Sequence, residues 1–139
     1  MKLIDDGYCF VCGPRNPVGL KLEFRFNGKT ITTEFIPKKE HQGYLDIVHG
    51  GIISTLLDEA MVKLAIAMDM PAVTARIDVR LKKALAVGEK VNVEAGIIKE
   101  TRKTIDAYAR AVNGDNVVIA DAKGTLVKVK AKVEVKSKD

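Results

Sequence analysis

The chain contains no tryptophan, and aromatic residues make up only 5% of its 139 positions. A core must therefore rest on Val, Ile, Leu and Ala. The 3 tyrosines and 4 phenylalanines form no RNP-like or zinc-finger-like pattern. A nucleic-acid partner is therefore not expected, because base recognition needs clustered aromatics or a known module. No run approaches the ~18 uncharged apolar residues that a membrane span requires. The opening Met1-Lys2-Leu3-Ile4-Asp5-Asp6-Gly7 has no apolar stretch and no small-residue cleavage site, so the expected compartment is the cytoplasm. Cysteine is limited to Cys9 and Cys12, which would be reduced thiols in that setting. Also missing are a P-loop, a G-x-G-x-x-G after a strand and a G-x-S-x-G elbow. Their absence removes the usual nucleotide-hydrolysing, dinucleotide-binding and serine-hydrolase readings.

What remains is ordinary for a folded domain, with 47% apolar and 29% charged residues. The length predicts one domain over 1–139 that can bury a core without disulfide or metal staples. Residues 1–19 read as irregular, punctuated by Gly7, Gly13, Pro14, Pro17 and Gly19. Residues 131–139 read as a tail free to fray. The net charge of +5, from 23 basic against 18 acidic residues, suits an anionic ligand without naming it.

Leu20–Phe26 alternates apolar and polar with period two and predicts a strand. Asn27-Gly28 signals a hairpin into a second strand from Lys29 to Ile36, ended by Pro37. Residues 37–51 form a loop holding both histidines, His41 and His49. From Ile52 to Met68 the chain has neither Gly nor Pro, is rich in helix formers and is apolar nearly all round. That pattern predicts a buried helix. The remainder predicts strands over Ala72–Lys83, Lys90–Glu100, Thr104–Val112 and Val117–Val135. The expected order is β-β-α-β-β-β-β, an α+β fold with five to six strands and one long central helix.

Asp58 sits in the middle of this helix with Ser54 and Val62 four residues away, so no cation is at helical spacing. A buried carboxylate is costly unless paired or hydrogen-bonded. A structural hydrogen bond and a chemical role explain it equally well. Glu59 has Lys63 four residues on and reads as half of a helix surface pair. His49-Gly50-Gly51 opens the helix, where free backbone N–H groups and the positive dipole end could polarise a carbonyl. His49 reads as a cap or a loop hydrogen-bonding residue, and His41 as a surface-loop residue. Asp58 lies ~12 Å along the axis from Gly50, at ~1.5 Å per residue. An attacking group must come within ~3.5 Å of the carbonyl carbon. One chain therefore cannot easily supply both groups, and the spacing predicts a homodimer with its site across the interface. Cys9-Phe10-Val11-Cys12-Gly13 is a C-x-x-C knuckle. A structural zinc site needs four ligands, and only His41 and His49 could complete the set, so two packed thiols is the reading taken.

Val48-His49-Gly50-Gly51-Ile52-Ile53-Ser54-Thr55-Leu56-Leu57-Asp58-Glu59-Ala60 resembles the helix signature of the PaaI-like branch of the hotdog thioesterase superfamily. Cys9 to Gly13 with Asn16-Pro17-Val18-Gly19-Leu20, and Thr74 to Leu81 followed by Gly88-Glu89, also resemble elements of that branch. The resemblance runs from about residue 9 to about residue 130. It implies a hotdog fold, a curved antiparallel sheet wrapped around the helix, in homodimers and often homotetramers. It implies hydrolysis of an acyl-CoA thioester with no metal and no organic cofactor. By position, Asp58 matches the carboxylate that activates water or attacks the carbonyl. Gly50 or Gly51 matches the backbone donor to that carbonyl, and Thr74 a hydroxyl that helps hold water. His49 and Arg76 are taken as substrate-binding positions. Many members carry Asn or Gln six or seven residues before the His. Here those positions are Gly43 and Gln42, a departure that bears on how the carbonyl is polarised. A non-catalytic acyl-CoA-binding or regulatory domain is the alternative on the same fold. A hydratase ranks low, because His49 stands away from Asp58.

Overall fold

The computed structural model describes residues 2–130 and 133–136. Its elements are β1 (Leu3–Asp5), β2 (Arg25–Phe26), β3 (Ile31–Phe35), a 3-10 turn (Lys39–His41), α1 (Gly50–Ala67), β4 (Ala72–Leu81), β5 (Val91–Glu100), β6 (Thr104–Asn113), β7 (Val118–Lys128) and β8 (Val133–Val135). Six strands form one antiparallel sheet in the order β2-β3-β5-β6-β7-β4, and α1 packs on it. A single long helix against a six-stranded antiparallel sheet is the α+β hotdog architecture the sequence predicts.

The helix begins two residues earlier than its Gly-free, Pro-free stretch because His49 caps it. The His49 side chain accepts the N–H of Gly51, drawing both glycines into the first turn. It ends at Met68, after which Asp69 turns into left-handed backbone (φ 60°) and Met70 N–H closes onto Ala65 O. Leu56, Leu57, Ala60, Met61, Leu64 and Ala65 on α1 are fully buried. Each of the larger side chains contributes ~1.5–3 kcal/mol by leaving water. The sheet beneath is floored with small residues, Ala107, Ala109 and Ala111 on β6 and Gly124 on β7. A Cβ at Gly124 would come within 2.9 Å of Met61 Cε, so glycine is what lets the helix sit this close.

Three segments depart from the sequence expectation. Leu20–Phe26 is a strand only at Arg25–Phe26. Leu20 and Leu22 instead give their N–H groups to the carbonyls of Phe10 and Val11, and Lys21 adopts left-handed backbone (φ 53°). The stretch 1–19 is not wholly irregular, since Leu3–Asp5 forms β1. The final strand expected over Val117–Val135 is broken in two. Val118–Lys128 is β7, and Val133–Val135 is a separate strand, β8, which pairs in parallel with β1. Of the tail expected to fray, 131–132 and 137–139 lie outside the described residues. Among the described residues no helix is long and apolar enough to cross a membrane.

Candidate active site

Asp58 points from the middle of α1 toward β4. Thr74 Oγ1 donates to Asp58 Oδ1 at 2.6 Å, and both side chains are partly buried. The pair is held by two rigid elements, since Thr74 lies on β4 beside Leu126 of β7. No cation bonds to Asp58 among the described residues. The hydroxyl occupies one carboxylate oxygen and fixes the side chain, leaving the second oxygen to act on something else.

The two glycines at the helix start are not equivalent. Gly51 N–H donates to His49 Nδ1 at 2.8 Å and is engaged in capping. Gly50 N–H has no protein acceptor among the described residues. Gly50 itself lines a cleft of about 380 Å³ whose lining also includes Gly43, His49, Ile53, Leu81 and Leu85. A free N–H at the positive end of an 18-residue helix, in a largely apolar cleft, suits a carbonyl oxygen that gains negative charge. His49 N–H donates to His41 O at 2.9 Å, which ties the loop to the helix start. Burial lowers His41 from its usual value, and its Nδ1 accepts the N–H of Lys38 at 2.8 Å.

Asp58 and Thr74 do not line this cleft. The chain thus presents a carboxylate–hydroxyl pair and a donor cleft as two separate halves, ~12 Å apart along the helix. Gly43 lies in the cleft against His49. The Gln42 side chain is turned onto its own loop, where Oε1 accepts the N–H of Asp46 at 3.2 Å. Arg76 is not brought to Asp58. Period two alone would set Arg76 on the face of Thr74, but the register slips between Thr74 and Arg76. That bulge reverses the phase of β4. Ile77 and Val79 then pack on the core, while Arg76 turns outward with Asp78 and Lys123.

A second cluster lies on the neighbouring face of α1. The sequence reading pairs Glu59 with Lys63 and leaves Cys9 and Cys12 as packed thiols. In the structure Cys9 Sγ donates to Glu59 Oε2 at 3.1 Å. Burial, the hydrogen bond with Cys9 and the charge of Glu59 push the Cys12 thiol up to about 11, so it is no thiolate nucleophile at neutral pH. Lys63 is raised: its burial pulls it down, but Cys12, Glu59 and Asp5 more than offset that. Only the C-x-x-C spacing pointed toward this cluster; nothing local to Glu59 did.

Comparison with known proteins gives consistent matches. The thioesterase superfamily model matches residues 45–120, which hold Asp58, Thr74 and the cleft's lining except Gly43 and Tyr44. A protein of Archaeoglobus fulgidus that carries the provisional name esterase is 33% identical over 96 residues. That match covers 69% of this chain and 62% of the archaeal protein, so the chain spans about three fifths of that relative's length. Among solved structures, a Streptococcus mutans protein bound to acetyl CoA superposes with a TM-score of 0.76 at 19% identity, over 80% of this chain and 90% of that one. The Escherichia coli PaaI protein of the phenylacetic acid degradation operon superposes with a TM-score of 0.77 at 14% identity, over 82% and 83%. At these identities the two structures speak to the fold.

Proposed function

This chain belongs to the thioesterase superfamily, and from that premise we propose that it hydrolyses an acyl-CoA-type thioester to the free acid and the CoA thiol. The observation that carries the reading is the Asp58–Thr74 pair, a helix carboxylate held at 2.6 Å by a strand hydroxyl, with no cation bonded to it among the described residues. With Oδ1 occupied by Thr74, Asp58 Oδ2 serves as general base on water. The water oxygen bonds to the thioester carbon as its proton passes to Asp58. Gly50 N–H receives the developing oxyanion. Collapse then breaks the C–S bond, and the departing sulfur takes the proton that Asp58 received, which restores the carboxylate.

Because Gly50 and Asp58 of one chain lie ~12 Å apart on a rigid helix, the donor and the base that meet one carbonyl come from two copies. We therefore assign the working unit as a homodimer, with a homotetramer as a pair of such dimers. The cleft that contains Gly43, His49 and Gly50 takes the thioester end of the substrate. The surplus of positive charge favours an anionic carrier such as CoA. The S. mutans relative holds acetyl CoA, which is in keeping with that carrier class. The expected setting is cytoplasmic.

The test is release of free CoA, followed by chromatography, from short, medium, long and aromatic acyl-CoAs. Wild type should turn over at least one of them, and Asp58→Asn should lower that turnover about 10²–10⁴-fold. Wild-type binding of acyl-CoA with no turnover on the whole panel would replace this reading with a non-catalytic acyl-CoA-binding domain.

A further inference from the structure

We propose that Cys9, Cys12 and Glu59 form a binding site for one zinc-class divalent cation, which would clamp the N-terminal segment onto α1. The inference does not depend on the thioesterase reading. Three observations carry it together. The two Sγ atoms and a Glu59 carboxylate oxygen all lie within 4.8 Å of one another. In a tetrahedral zinc site, with Zn–S of about 2.3 Å, two sulfurs stand ~3.8 Å apart, so the ligands need to close by ~1 Å or less. The ligands also come from two rigid sources. Cys9 and Cys12 sit on one tight knuckle, and Glu59 sits in the middle of α1.

The knuckle is built as a thiolate cradle. Val11 N–H and Cys12 N–H both point at Cys9 Sγ, at 3.4 and 3.5 Å. Amide donors aimed at a sulfur favour its charged, metal-bound form and fix its direction. Gly13 closes the turn by donating to Cys9 O at 2.9 Å. A Cβ at Gly13 would fall 2.3 Å from Cys9 N and 2.6 Å from Cys9 O, so only glycine permits this closure. The carbonyls of Phe10 and Val11 then accept from Leu20 and Leu22, which anchors the knuckle to the following segment.

Ligand chemistry selects the ion. Two thiolates favour zinc over magnesium or calcium, which prefer oxygen. Binding expels the thiol protons of Cys9 and Cys12, and the metal replaces the hydrogen bond from Cys9 to Glu59. Two thiolates and a carboxylate leave a divalent ion with one excess negative charge. Lys63, beside Cys12 and Glu59, supplies the compensating cation. The fourth position goes to water or an external ligand, as in other three-ligand zinc sites.

The test uses the full chain, reduced and stripped with a chelator, then titrated with Zn²⁺ or Co²⁺. One zinc per chain should survive gel filtration. Cobalt should give the intense near-ultraviolet sulfur-to-metal band of thiolate ligation with tetrahedral d–d bands. Saturating zinc should raise the melting midpoint by an amount on the order of 5–10 °C. Cys12→Ser should weaken binding about 100-fold or more, and Glu59→Gln by about tenfold. The cobalt spectrum of wild type needs no variant, so a misfolded variant would not obscure the answer. The proposal is overturned if the reduced wild type retains no zinc and shows no thiolate–cobalt band. It is equally overturned if Cys12→Ser folds and binds zinc as tightly as wild type. A metal-free chain two hydrogens lighter, with Cys9 and Cys12 joined, that rejects zinc after reduction would replace it with a redox pair.

Discussion

Asp58 and Glu59 are neighbours on α1, yet their carboxylates serve different parts of the molecule. One helical residue turns a side chain ~100° about the axis. Asp58 therefore meets a hydroxyl from β4, 16 residues later in sequence. Glu59 meets a thiol from the knuckle, 50 residues earlier. Chemically the two are near-identical acids on the same scaffold. What divides them is the donor each receives. A threonine hydroxyl orients Asp58 without neutralising it, and the side chain keeps an oxygen for chemistry. Glu59 lies among soft sulfur ligands beside Lys63, a setting for a cation. On the two proposals made above, one face of the helix carries the chemistry while the adjacent face holds the N-terminal knuckle.

The largest effect expected from breaking this division is Asp58→Asn. Asparagine keeps the size and can still accept from Thr74, but it cannot take a proton. The kcat for acyl-CoA hydrolysis should fall about 10²–10⁴-fold, the span of a lost general base, with little change in melting midpoint. Next comes Thr74→Val, which preserves shape and removes the hydroxyl. A hydrogen bond to a charged acceptor is worth ~1.5–3 kcal/mol, so kcat should fall about 10–100-fold. If Thr74→Val left kcat at the wild-type value, the pair would be structural only. Smaller again is His49→Ala at the helix start. Losing a cap costs ~1 kcal/mol, read by urea unfolding, and it frees Gly51 N–H from His49. A stability loss with unchanged kcat/KM would show that the capping geometry does not orient the Gly50 donor.

The architecture was legible because its signals are local. A stretch without glycine or proline, apolar nearly all round, could only be a buried helix, and alternating β-branched runs with short polar turns could only be hairpins. The family resemblance came from a local run as well, His49 to Asp58. The losses are contacts between distant residues. Leu20–Phe24 has the alternation of a strand, but Phe10 and Val11 take the N–H groups of Leu20 and Leu22. Val133–Val135 pairs with Leu3–Asp5, which no local pattern announces. The bulge between Thr74 and Arg76 carries no distinctive residue, so no local signal announced that Arg76 turns away from the face of Thr74. For Asp58, periodicity left structure and chemistry equally weighted, because its bonded neighbour Thr74 lies on β4, 16 residues later. For Glu59 the sequence named Lys63, which does lie beside it, but nothing local announced the thiol of Cys9, fifty residues back.

Glu59→Gln is the smallest change and the sharpest control on the division between the two acids. Glutamine retains an oxygen that can accept from the Cys9 thiol, so the contact at 3.1 Å can survive as a neutral hydrogen bond. Both partners are only partly buried, so the charge contributes little to stability in water-screened surroundings. With chelator present, unfolding in urea should therefore change by less than about 1 kcal/mol. The removed charge also leaves Lys63 with one fewer anion beside it, which acts in the same direction and is equally modest. Side by side with Asp58→Asn, the decisive quantity is the ratio of the two losses in kcat. A loss for Glu59→Gln as deep as that for Asp58→Asn would mean that both carboxylates act on one chemical step. A loss far shallower would mean that ~100° of helical rotation is enough to separate the reacting acid from its neighbour.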